Sequence, residues 1–336
     1  MVAILPRKEI ISKIELMPNY LWHILVIANL WDCDQSNNPY YQQFSHTMPE
    51  DDIHFLQKHS EDIVWGNGKM GMLTKFFFFL PLEHANSDIE DLEFYYKRLH
   101  KSIFSNDWVE FYLWYGSDFT QSKIPKPKFL VIEKIGKILS NNYQTFVDEV
   151  WPKIKPELNR SSQSFNEYFK KKKIISRWQS FLNRDFSPKD FVVLFSYANM
   201  NEISFTNINY VRYNLYYNSD NFDTLRALII KEVGINILSP ELNKLLHDKS
   251  MNSISTFYEN TLYTAFQAFV QTASDKLFIE ENLQFNSNLY TYDDKDFLFF
   301  IEYFEKYFQT HNHQIDAYEV IKSAIFMFID FYYQDK

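Results

Sequence analysis

Glu232 is the one acid in the stretch Lys231-Glu232-Val233-Gly234-Ile235-Asn236-Ile237-Leu238-Ser239-Pro240. On a helix, positions 231 and 235 share a face, and i, i+4 is the spacing at which two imidazoles hold zinc with a Glu beside the first as general base. Here the two positions carry lysine and isoleucine. A protonated ammonium has no lone pair and isoleucine has no donor atom, so Glu232 has no metal-bound water to deprotonate. The residues predict a general base without its nucleophile.

The same ten residues resemble the active-site helix of a group of bacterial gluzincin-like metallopeptidases, whose motif reads approximately His-Glu-Phe-Gly-His-Ser-Phe-Val-Asn-Pro. Lys231 and Ile235 fall on the histidines, Glu232 on the general base, Gly234 on the glycine and Pro240 on the closing proline. The chain has only six glycines, which adds weight to the one at 234. Upstream, Phe191–Ser196 and Tyr210–Tyr216 read as two strands, so strand, strand and active helix follow the zincin order. Downstream, the family's third ligand falls on Ala268 in one register, while Glu259 on the same predicted helix is the retained carboxylate in another.

The resemblance implies an α+β, mainly helical fold. It places a zincin-like core with C-terminal helices at 156–336 after a mainly helical N-terminal portion at 1–155, with one continuous domain as the other arrangement. It also implies a catalytically inactive pseudopeptidase with no metal and no cofactor, in which Glu232, Glu259, Tyr210 and Tyr213 line a cleft for a peptide or protein partner. Active zincins hold substrate as an added strand on the sheet edge, a mode that needs backbone hydrogen bonds rather than zinc. Two alternatives stand beside it: a hydrolase with a relocated metal site, and a helical interaction protein unrelated to zincins.

Composition bounds these expectations. The 336 residues suffice for a large core, and with 33 Phe and 23 Tyr much of the burial must come from rings. A net charge of −9 argues against a general nucleic-acid binder. The single cysteine, Cys33, excludes an intramolecular disulfide. Arg7, Lys8, Glu9, Lys13 and Glu15 interrupt any signal-peptide core, and no apolar run is long enough to span a bilayer, so a cytoplasmic location is expected.

Periodicity predicts helices over Tyr20–Leu30, Pro49–Ile63, Met70–Leu80 after a Gly66-Asn67-Gly68 turn, Leu92–Ser105, Lys128–Leu139, Phe222–Leu238 and Tyr258–Ser274. Asp223 is the expected cap and Ser239-Pro240 the expected stop of the helix carrying Glu232. Pro125-Lys126-Pro127 and Trp151–Pro156 read as linkers. His311 and His313 diverge at i, i+2, and His54 and His59 lie on different helix faces, so neither pair has metal-ligand spacing. His247-Asp248, beyond Pro240, is expected to face away from the motif. Lys170–Lys173 is a basic run that either contacts phosphate or lines a solvated helix face. Nucleotide-binding glycine loops and the Gly-x-Ser-x-Gly elbow are missing.

Overall fold

A computed structural model describes residues 8–30, 38–63, 65–66, 69–70, 94, 96–99, 101–102, 105, 128–186, 190–198, 205–208, 212–218, 222–248, 250, 258–281, 294–311 and 315–333. The protein is mainly helical around one four-stranded sheet. Strand β1 (Ile10–Lys13) leads into α1 (Leu16–Ile27), α2 (Pro39–Phe44), α3 (Glu50–Lys58) and α4 (Ser60–Ile63). Strands β2 (Trp65–Gly66) and β3 (Lys69–Met70) pair antiparallel, while Asn67 and Gly68 of the expected turn lie outside the described residues. Of the helix expected over Met70–Leu80, Met70 is strand and the rest lies outside the described residues.

A long helical segment follows. Helix α5 (Lys128–Thr145) passes through a π turn (Phe146–Val150) into α6 (Trp151–Lys172) without a break. The linker expected at Trp151–Pro156 is therefore helix. Pro152 occupies the first turn of α6, where a missing N–H is tolerated, and Pro156 is carried inside the helix. Lys173, at φ 52°, ends α6 in the left-handed region, and α7 (Ile174–Leu182) starts at the next residue.

Strands β4 (Asp190–Ser196), β5 (Phe205–Ile208) and β6 (Arg212–Asn218) complete the sheet in the order β1-β4-β6-β5. Strands β1, β4 and β6 are parallel, while β5 runs antiparallel to β6 at one edge. Central β4 reads Asp-Phe-Val-Val-Leu-Phe-Ser and is buried on both faces, as a covered parallel strand should be. The outer edge of β1 is closed by α6. Ser12 N donates to Asn166 Oδ1 (2.8 Å) and Ser12 Oγ to Ser162 O (3.1 Å). Because β1 pairs with β4 and α6 crosses residue 155, the two stretches expected as separate portions share one sheet and one helix.

Among the described residues the C-terminal part contains four α-helices: α8 (Phe222–Leu246), α9 (Tyr258–Leu277), α10 (Asp294–Thr310) and α11 (Ala317–Tyr333). Rings hold them together. Phe300, Phe304 and Phe308 recur every fourth residue on α10, and Phe269 of α9 packs edge-on against Phe304 and Phe308 (5.2 and 5.5 Å). Among the described residues no helix is long and apolar enough to cross a membrane.

The N-terminal helices enclose polar groups that are satisfied locally. Asp52, in the first turn of α3, is buried and accepts from Asn142 Nδ2 (2.9 Å) and Lys134 Nζ (3.3 Å) of α5. His23 of α1 is 1% exposed between Tyr40 and Thr47. Thr47 Oγ1 donates to Phe44 O (2.6 Å), so it accepts from His23 Nε2–H (3.0 Å), and Nδ1 accepts from Tyr40 OH (2.8 Å). Burial pushes the His23 pKa down to about 3.

That ring makes acid destabilising. Between about pH 3 and 6.5 the unfolded chain binds a proton that the folded chain refuses, so stability falls as pH falls through this window. From pH 7 to pH 5 the loss from this group is about 2 kcal/mol. In urea denaturation at the two pH values, His23→Gln should start less stable than the parent and show a correspondingly smaller acid-induced loss.

Candidate functional site

Helix α8 carries the motif and runs on to Leu246, six residues past the expected stop at Pro240. Pro240 has no N–H to offer the carbonyl of Asn236 one turn earlier, and Ser239 Oγ donates to that oxygen instead (2.8 Å). The Ser-Pro pair replaces the lost bond, so the helix continues. The Asp223 side chain, expected as its cap, lies outside the described side chains.

Gly234 is set by packing. A Cβ there would stand 2.5 Å from Cζ2 of Trp178, because the indole of α7 packs directly against the α8 backbone. Trp178 is wholly buried, and its Nε1 donates to Ile230 O (2.8 Å). Two turns further, Glu241 meets Arg184 (2.7 Å), beyond the end of α7. The face of α8 bearing Ile230, Gly234 and Glu241 is thus taken up by α7.

Lys231 and Glu232 are both buried, at 6% and 7% exposure. Burial pushes the Lys231 pKa down to about 8, against the pull of Glu232 and of Asp275 from α9. Helices α8 and α9 pack together. The α9 carboxylate acting on Lys231 is Asp275, which had no place in the sequence expectations. It lies seven residues from Ala268, on the same face and about 10 Å further along the axis. Burial pushes the Asp275 carboxyl up, the Gln271 amide hydrogen-bonded to it (3.0 Å) opposes this, Glu305 of α10 adds to it, and Lys231 opposes it.

The other predicted positions are placed as follows. Ala268 is fully buried and Ile235 half-buried, both as packing residues. The Glu259 side chain lies outside the described side chains, and Tyr210 outside the described residues. Tyr213 lies on β6, opposite Phe191 and Ile208. Asn236, one turn after Glu232 and unremarked in the sequence, is buried, and its Oδ1 meets no donor among the described residues. Nothing but its i+4 relation to Glu232 could have pointed to it.

The secondary candidates have structural partners. His311 stacks on Tyr307 at 4.1 Å, His59 packs on Phe55 at 4.7 Å, and His313 lies outside the described residues. Asp248 accepts from Lys322 (2.7 Å), Tyr318 OH (2.5 Å) and both N and Oγ of Ser250 (2.9 and 2.8 Å). The Lys322 bond, then those of Tyr318 and Ser250, hold its carboxyl well below the usual range. It fastens the end of α8 to α11. Among the described residues, no group of three His, Cys, Asp or Glu side chains could hold a metal ion.

Two outcomes test this geometry. Gly234→Ala should lower stability by about 1–3 kcal/mol, since the methyl meets a ring that has no free space to retreat into. Its effect should shrink when Trp178 is first shortened to Leu, as a double-mutant cycle in urea would show. Lys231 should produce the opposite pH dependence from an ordinary lysine. Between pH 8 and about 10.5 the unfolded chain holds a proton that the folded chain has released, so stability rises with pH there. The parent should gain on the order of 1–2 kcal/mol relative to Lys231→Met between pH 7.5 and 9.5.

Comparison with protein families, with curated proteins and with solved structures finds no match to this chain.

Proposed function

We propose that the protein is a metal-free, zincin-like binding module that holds an extended peptide or a segment of a protein partner and does not cleave it. The observation that carries this is Lys231 buried beside Glu232 and under the field of Asp275. A fixed positive charge among carboxylates stands on the helix pair from which a zinc peptidase would present its ligands. An ammonium so placed supplies charge but no Lewis-acid site and no activated water. Glu232 then serves to pair the cation.

The sheet supports the binding half of the proposal. Strands β4, β5 and β6 come just before α8 and lie side by side in the sheet in the order β4-β6-β5, with the antiparallel strand β5 at one sheet edge. The opposite edge, β1, is closed by Asn166 and Ser162 of α6. A peptide added to the sheet would therefore pair with β5, through main-chain bonds that impose little sequence requirement.

A second reading, a helical interaction protein, is favoured by a different observation. Leu298, Met327 and Phe331 are 56%, 53% and 70% exposed on α10 and α11, and the Phe331 ring contacts that of Phe299. Helical partners would dock on that face instead of the sheet.

The experiment combines metal analysis with peptide binding. Purified protein should contain far less than one zinc per chain and leave unfolded protein substrates uncut with or without chelator. It should bind members of an unstructured peptide library, and N-methylation of alternate peptide nitrogens should weaken binding at least tenfold. One zinc per chain with chelator-sensitive cleavage establishes a peptidase. Binding that survives N-methylation and is lost with Met327→Lys/Phe331→Lys establishes the helical surface.

A further inference from the structure

A cleft of about 180 Å³ opens between β1 and the junction of α6 with α7, at the sheet edge opposite β5. Its apolar lining includes Phe169, Ile174 and Ile175, all buried, and Ile10 and Asn166 line it as well. Charge is not what marks it out, since the Lys8 ammonium beside it is held by Asp185 and by Phe186 O. What marks it out is an uncommitted stretch of main chain.

The register of β1 fixes which backbone groups face outward. Phe191 N donates to Glu9 O (2.9 Å), and Ile10 stands opposite Phe191 in the parallel pair. In that arrangement the N–H and C=O of Ile10 both point away from β4, as do those of Ser12 two residues on. Asn166 agrees with this direction, because its Oδ1 accepts the Ser12 N–H from the outer side (2.8 Å). Helix α6 thus closes the edge at Ser12, while the N–H and C=O of Ile10 have no partner among the described residues. They offer a donor and an acceptor side by side on one extended residue. The Asn166 side chain leaves a further donor, Nδ2, uncommitted among the described residues.

We infer that this cleft binds a small primary carboxamide carried on an apolar ring, with the amide on the Ile10 backbone and the ring against Phe169, Ile174 and Ile175. A primary carboxamide has its C=O and one N–H on the same side, so it accepts from the Ile10 N–H and donates to the Ile10 C=O together. The protein already uses half of this mode, in the Asn166 carboxamide on Ser12. An added peptide strand would have to continue onto Ser12 N–H, which Asn166 has taken. A carboxylate of the same shape lacks the donor and leaves the Ile10 C=O unmet. The volume holds one ring with its amide and is below the range that takes a drug-sized ligand. This site lies at the opposite edge from β5 and does not depend on the peptide reading.

The test is a titration of the full chain, isotope-labelled at isoleucine, with benzamide, N,N-dimethylbenzamide and benzoate, read by amide resonances and calorimetry. Ile10→Val keeps the backbone and assigns the Ile10 signal by its loss. Benzamide should bind saturably and move the Ile10 amide proton downfield. The dimethyl amide and benzoate, neither of which can donate, should each bind roughly tenfold more weakly or worse. Ile10→Pro removes an N–H that points out of the ladder and leaves the β1–β4 bonds in place, so it should lose benzamide binding while the chain stays folded. If the proline variant unfolds early, the ligand series and the Ile10 resonance of the parent decide. Equal affinity for the three ligands, tighter binding of benzoate, benzamide binding that leaves the Ile10 amide unmoved, or no saturable benzamide binding overturns the inference.

Discussion

The close contact between the Trp178 indole and the α8 backbone at Gly234 is the constraint on which the arrangement around the motif depends. An indole can lie at that distance only where the helix has no side chain, and its N–H fixes the rotation of α8 by bonding to the Ile230 carbonyl. With that face occupied, Lys231 is turned toward α9 and Asp275. Helix α7 in turn follows α6 after one left-handed residue, and α6 seals the edge of β1. A single glycine thus joins the sheet half of the molecule to the helical half.

Elsewhere the protein keeps polar groups inside an aromatic interior by satisfying them at short range. Ser239 replaces the bond that Pro240 removes, Thr47 and Tyr40 fix the tautomer of His23, and Asn142 meets Asp52. Each arrangement spares a desolvated group the cost of having no partner. At Lys231, too, carboxylates are near, but burial outweighs their attraction and its pKa falls.

Much of this was legible where one periodicity dominated. The apolar run of β4, the length of α9 and the acids at the start of α3 follow from local pattern. Prolines misled in two places because tertiary and side-chain compensation is invisible to a local rule: Pro152 and Pro156 sit inside a helix, and Pro240 is rescued by its neighbour. Strand β1 is four residues long and becomes a strand only by pairing with a partner 181 positions away, Ile10 with Phe191. Gly234 stood out in the sequence, but its reason, a tryptophan 56 residues earlier, did not. Asp275 was likewise hidden, since nothing local says which α9 residue faces Lys231.

The unbroken helical segment from Lys128 to Lys172 has a mechanical meaning. Its contour is about 65 Å, far longer than an ordinary helix, and it touches the buried Asp52 group near one end and the β1 edge near the other. Its π turn, at Phe146–Val150, lies under His23 and Tyr20 through the Phe146 ring. An extra residue in one turn stores a phase difference of about 100° between the two halves. Deleting one residue from that turn would therefore rotate the far half by about that angle against the sheet edge it seals.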